Sequence, residues 1–254
     1  MSPALLRKAL QELGSRVAQR GVKLFGGEPL LRPDLVLEAV AASRRLGGPL
    51  ELCTNGALLD RCLCSVLSRC PEVEVRLSSL SPWIPLLPNV SLNFLIPPGE
   101  PAPAALRRFG EAARLGLRRF NFLPAYFVSW KPEQLSELGR TFAGLGRMIQ
   151  GLRRSGMALR IENLGRWGRV PLYNEGTVVD TDGRVYASNL VLARWVQDPG
   201  RLLLGDLRRP GLIRALAQEE LGEALRGCLG PRRALAFEAD RALTGFVRSL
   251  EACP

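Results

Sequence analysis

The feature that most constrains this chain is Val22-Lys23-Leu24-Phe25-Gly26-Gly27-Glu28-Pro29. A short, mostly apolar run reads as a strand, and it stops on two glycines. Such a pair turns sharply and leaves its backbone bare toward a ligand. Pro29 removes a donor and fixes φ, so the turn is stiff. Residues 30–40 then read as helical. A strand, a bare turn and a helix in this order make a βα unit, and units of that kind build parallel sheets.

The pattern repeats along the chain. Helix 3–20 leads to strand 22–26, helix 34–46 to strand 50–53, and helix 57–69 to strand 73–78. A proline-rich connection, Ser81 to Pro88, stands where the next helix would be. Strand 90–96, helix 102–115, strand 118–123 and helix 132–154 follow. Residues 158–162 are a further strand of undecided direction. Short apolar strands alternating with helices predict a parallel sheet covered on both faces. Strand C-terminal ends then form the functional rim. Gly26-Gly27-Glu28, Thr54-Asn55-Gly56, Ser78-Ser79, Ile96-Pro97 and Pro124-Ala125-Tyr126 all fall there.

Gly26-Gly27-Glu28-Pro29 at a strand end, with Cys53-Thr54-Asn55-Gly56 after the next helix, resembles the radical SAM superfamily. The resemblance covers residues 20–225. It implies an α/β fold, a partial TIM-type (β/α) barrel of parallel strands with its first strand missing. It also implies S-adenosylmethionine as cofactor, held at Gly26, Gly27, Glu28 and Pro29, with Asn55 on the same rim. Ser78 and Ile96 stand nearest to the positions that meet the ribose and adenine. Members of the superfamily bind a [4Fe–4S] cluster through Cys-x3-Cys-x2-Cys in the loop after the first strand. Those ligands are absent here, since residues 1–21 contain no cysteine. The chain is expected to begin at the helix after that loop, from a miscalled start, a split gene or a true pseudoenzyme.

From residue 171 the composition changes. Val178-Val179 and Val185-Tyr186 flank Asp180-Thr181-Asp182-Gly183, a hairpin turn. Gly205-Asp206-Leu207 follows, before a helix near 210–225. This order resembles the SPASM or twitch appendage of radical SAM enzymes. The expected division is 1–165 for the barrel and 166–254 for a degenerate appendage. The residues after Tyr186 are Ala187-Ser188-Asn189, without the cysteine an auxiliary cluster would use.

The 254 residues contain no histidine, which removes imidazole bases and histidine metal sites. Six cysteines remain. Cys62 and Cys64 point about 200° apart on a helix and do not converge with Cys70; no metal site is expected. Free thiols, buried or half-buried, are the expected state. No apolar run reaches a membrane span and no signal peptide is visible, so a cytoplasmic location follows. The net charge of +11 comes almost wholly from scattered arginines; a solvated surface is the first reading, a basic groove for an RNA, a leader peptide or another acidic partner is the second, and a nucleic-acid-associated protein is the least expected function.

Two functions follow. One is a peptide- or cofactor-modifying radical SAM protein, in which S-adenosylmethionine would give a 5′-deoxyadenosyl radical if an upstream segment supplied the cluster. The other is a noncatalytic homologue that binds a peptide or a catalytic partner chain, with the edge of strand 22–26 as a pairing site.

Overall fold

The computed structural model describes residues 1–14, 21–125, 128, 130–164, 176–192, 196–209, 211, 213–214, 216–229 and 233–252. The expected boundary at 165/166, the run 171–175, Tyr126 and Cys253 lie outside them.

Six strands form one parallel sheet in sequential order: β1 (Val22–Leu24), β2 (Leu50–Thr54), β3 (Val73–Leu77), β4 (Val90–Ile96), β5 (Arg119–Pro124) and β6 (Arg160–Ile161). Every neighbouring pair is parallel, β6 included, which settles the direction that the sequence left open. Helices α2 (Pro33–Leu46), α3 (Arg61–Leu67), α4 (Ala102–Arg114) and α5 (Pro132–Arg154) return the chain between strands. Between β3 and β4 a single 3-10 turn, Ile84–Leu86, replaces a helix, because prolines 82, 85 and 88 forbid one.

The strands are not apolar throughout, which corrects the reading of apolar strands buried on both faces. Leu50-Glu51-Leu52-Cys53 and Val73-Glu74-Val75-Arg76 alternate, so successive side chains point to opposite faces. The apolar face carries Leu50, Leu52, Val75, Leu92, Phe94, Phe120 and Phe122 into the core against the helices. Phe109 of α4 packs there at 6.1 Å from Phe94 and 4.9 Å from Phe120. The other face is polar, and its charges are paired across strands.

A helix preceding β1, α1 (Pro3–Glu12), is capped by Ser2, whose hydroxyl accepts from Leu5 N at 3.2 Å. It ends at Glu12, short of the expected residue 20; residues 15–20 lie outside the description. Leu6 and Leu10 enter the barrel core, whereas Ala9 packs with Val185, Leu204 and Leu207 of a second sheet. That sheet is antiparallel: β7 (Val178–Val179), β8 (Arg184–Tyr186) and β9 (Leu203–Asp206). The expected hairpin is present, and the Gly-Asp-Leu segment supplies its third strand. The following helix, α6, runs from Gln218 to Leu229 rather than near 210–225. A last helix, α7 (Arg233–Glu251), which the sequence reading does not single out, returns to the barrel. Its Phe246 stacks on Phe142 of α5 at 4.8 Å and meets Phe122 edge-on at 5.2 Å.

Candidate functional site

The rim at the strand C-terminal ends is organised by Glu28. Its Oε1 accepts from Leu30 N at 3.1 Å and from the Thr54 hydroxyl at 2.7 Å, and its Oε2 accepts from Asn55 N at 3.0 Å. One carboxylate therefore caps the turn after β1 and ties it to the end of β2. A carboxylate has about four acceptor positions, so Oε2 keeps one that the described residues do not fill. Thr54 Oγ1 in turn accepts from Gly56 N at 3.0 Å, and Asn55 Oδ1 accepts from Ala57 N at 2.8 Å.

Gly26 and Gly27 both hold positive φ, 87° and 56°, a region other residues rarely adopt. A Cβ built on either would meet nothing within 4 Å. The glycines are needed for the turn's shape, and the space beside them is open. That space is a pocket of about 200 Å³ lined by Gly26, Gly27, Cys53, Thr54, Asn55, Arg76, Ser78 and Asn93. Complete small-molecule sites run to roughly 300–1,000 Å³, so this pocket has room for one end of a larger ligand.

The structure brings together four of the residues that the sequence marks, Gly26, Gly27, Asn55 and Ser78, with Glu28 directly behind them. Ser78 N donates to Thr54 O at 2.9 Å, which fixes the serine at the mouth. Pro29 starts the 3-10 turn Pro29–Leu31 behind the pocket. Ile96 is different. It ends β4 with its side chain in the core, 1% exposed, and it is absent from the lining.

Cys53, Arg76 and Asn93 are site residues that the sequence reading misses, although their alternation with apolar neighbours places them on the inner face. Cys53 lies beside Arg76 in register. Burial pushes its thiol up to about 12, with Glu51 adding to the rise and Lys23 opposing it. Cys53 is thus a protonated thiol that donates to Glu51 Oε1 at 3.4 Å. Asn93 Oδ1 accepts from Asn121 Nδ2 at 2.9 Å, and its NH2 donates to no acceptor among the described residues.

Below the pocket runs a ladder of ion pairs and hydrogen bonds across all six strands. Lys23 meets Glu51 at 2.7 Å, Arg76 meets Glu51 at 2.8 Å and Glu74 at 2.9 Å, and Arg119 meets Glu74 at 2.6 Å. Arg119 also meets Glu162 at 2.8 Å, and Arg160 reaches it at 3.1 Å. The Ser91 hydroxyl donates to Glu74 at 2.7 Å. Burial pushes the Glu74 carboxyl up, but the Ser91 hydrogen bond with Arg76 and Arg119 outweighs it, and the carboxyl lies below its ordinary range. The ladder is a floor that holds the strand register while the rim above stays open.

Among the described residues the cysteines do not converge on one point. Among the described residues no three of His, Cys, Asp and Glu are placed to hold a metal. On α3, Cys62 is exposed and Cys64 buried, so they diverge as the helical spacing requires. Cys62 is the exception to the buried or half-buried thiols expected. Among the described residues no helix is long and apolar enough to cross a membrane.

Comparison with known proteins joins this geometry to a fold. No family model matches the sequence, and no curated protein matches it. Solved structures do. Polyhistidine-tagged anSMEcpe with bound AdoMet aligns over 89% of this chain and 73% of its own, at TM-score 0.62 and 14% identity. Streptococcus suis SuiB bound to S-adenosylmethionine aligns over 80% of this chain and 56% of its own, at TM-score 0.55 and 10% identity. A second structure of Streptococcus suis SuiB gives TM-score 0.53 and 11% identity over 74% of this chain and 55% of its own. The chain thus spans about three quarters of the first protein and just over half of the second. Its six-stranded parallel sheet with helices is the fold of the radical SAM enzymes.

Proposed function

We propose that this chain binds S-adenosylmethionine by its amino-acid end at the Gly26-Gly27 rim, as a radical SAM-fold protein of the peptide- or cofactor-modifying type. One observation carries the reading: two adjacent left-handed glycines border a pocket in which a Cβ on either would find open space. Backbone carbonyls at that turn, with the spare position on Glu28 Oε2, suit an ammonium. Ser78 and the Asn93 NH2 supply hydroxyl and amide partners for the rest of the ligand. When bound, S-adenosylmethionine supplies a sulfonium whose reductive cleavage is the source of radical chemistry in such enzymes. The chain's own part is to hold the ligand, orient it along the rim and keep Cys53 protonated beneath it.

The described residues hold no ligand set for the cluster that such cleavage requires. Radical chemistry on this reading needs thiolates from outside them. Anaerobic reconstitution of the chain with iron and sulfide tests this. The expected yield is well under one cluster per chain. About four irons per chain with a matching visible and EPR spectrum would overturn the requirement for thiolates from outside the described residues.

A second reading has its own observation. β1 is the edge of the sheet, paired only to β2 among the described residues. An open edge of this kind accepts a further strand. On this reading the chain is a noncatalytic module for a peptide or a catalytic partner chain. Hydrogen exchange at Lys23 separates the two readings, since protection on addition of a partner belongs to the second alone.

A further inference from the structure

The opposite end of the barrel carries a second surface, independent of the rim pocket. Parallel topology collects the N-terminal ends of all strands there, together with the last turns of α2, α4 and α5. Arg44 and Arg45 end α2, Arg69 follows α3, Arg114 ends α4, and Arg153 and Arg154 end α5. Cations at helix C-termini are favoured by the macrodipole, which accounts for their tolerance but leaves them without carboxylates. Arg45, Arg69, Arg114, Arg118 and Arg154 are exposed with no acidic partner among the described residues. Glu72, in the loop before β3, is already taken by Arg44 at 2.7 Å.

On the same end of the barrel, between the starts of β4 and β5, lies a groove of about 340 Å³ lined by Ile84, Leu87, Val90 and Leu115 together with Arg118 and Arg119, and Arg114 directly precedes its Leu115 in the chain. Arg118 is held in place, its Nη1 donating to Ala113 O at 2.8 Å and Leu117 O at 2.9 Å. Leu86 and Leu115 are exposed beside it. The row from the β2 loop to the β6 loop crosses four strand spacings, about 19 Å, which matches about six residues of extended peptide.

We propose that this face docks an acidic polypeptide segment that carries an apolar side chain, the acids meeting the arginines and the apolar group filling the groove. Besides Arg118 and Arg119 the lining is aliphatic, glycine and proline, with no aromatic side chain on which a base could stack, so the groove favours a peptide with an apolar side chain over single-stranded nucleic acid.

The test uses fluorescence anisotropy of three labelled probes against the whole chain: an octapeptide of alternating Glu and Leu, one of alternating Glu and Ser, and an octameric oligouridine. The Glu-Leu peptide is expected to bind, and the Glu-Ser peptide and the oligouridine to bind at least about tenfold more weakly. Arg69→Glu/Arg114→Glu should lower affinity for the Glu-Leu peptide about tenfold and flatten its salt dependence. Leu115→Asp should do so with the arginines intact. Melting curves that match the parent confirm that these surface variants fold. No binding of the Glu-Leu peptide, equal binding of the oligouridine, or indifference to the arginine reversals would overturn the proposal.

Discussion

The barrel and the C-terminal sheet use the same residue types in opposite ways. In the barrel, acids and arginines meet across strands. Glu74 reaches Arg119 forty-five positions away, and Arg119 reaches Glu162 forty-three positions on. In the C-terminal sheet the partners are neighbours: Asp206 with Arg208, Asp198 with Arg201, Asp182 with Arg184. The glycine turns differ likewise. Gly26 and Gly27 face open space, whereas a Cβ on Gly183 would lie 3.1 Å from Arg208 and 3.3 Å from Leu5. Charges and glycines therefore fix architecture and leave a cavity in the first region, and close a compact turn in the second.

The sharpest way to break this comparison is to remove one arginine from each region. Arg76 is 7% exposed and bridges two carboxylates. Arg76→Met strands Glu51 and Glu74 in part, although Lys23 and Arg119 remain, and should cost about 3 kcal/mol in urea unfolding. Arg208→Met removes an exposed local pair and should leave the urea midpoint unchanged. Equal losses would show that the ladder is no more structural than the surface pairs.

The glycines provide a smaller contrast. Gly183→Val combines a φ of 91° with crowding and should cost about 2–3 kcal/mol. Gly27→Val meets only the backbone penalty at φ 56° and should cost about 1–2 kcal/mol. A larger loss at Gly27 than at Gly183 would mean that the rim turn is a packing device too.

The smallest effect concerns α7. Burial raises the Asp240 carboxyl to about 6. An acid with a raised folded pKa stabilises the fold least once pH has risen through that value, so the penalty grows from its unfolded value near 4 up to about 6. Discounted for its partial exposure, Asp240→Asn should add about 1 kcal/mol at pH 7.5 and nothing at pH 3.5. Melting temperatures at the two pH values decide it. Glu74 has the reverse sign: its contribution is present above its ordinary value and is lost as pH falls through its lowered one.

Much of this architecture is legible in the residues. β1 to β5 lie where short apolar-rich runs end in Gly-Gly, Thr-Asn-Gly, Ser-Ser or proline, and α5 covers 132–154 as its pattern indicates. The rim turn is legible because two glycines and a proline leave few alternatives. The cross-strand part of the ladder is not, because Lys23–Glu51, Arg76–Glu51, Arg119–Glu74 and Arg119–Glu162 are set by strand order; only Arg76–Glu74 and Arg160–Glu162 follow from spacing along the chain. The inner-face residues Cys53, Arg76 and Asn93 are nevertheless signalled by period-two alternation. Ile96 belongs to the rim by its position at a strand end, but parity puts its side chain on the core face. The return of α7 to the barrel depends on Phe246 meeting Phe122 and Phe142, contacts that no local pattern announces.

The central claim is that the open space beside Gly26 and Gly27 receives one end of S-adenosylmethionine. Calorimetric titration of that ligand into the parent chain and into Gly27→Val tests it most directly, with Ser78→Ala as a variant free of backbone strain. The account predicts weak binding by the parent, no tighter than about millimolar or roughly 4 kcal/mol, reduced by Ser78→Ala and abolished by Gly27→Val while that variant still melts cooperatively. Equal heats from the parent and a folded Gly27→Val, or none from the parent at millimolar ligand, would contradict it.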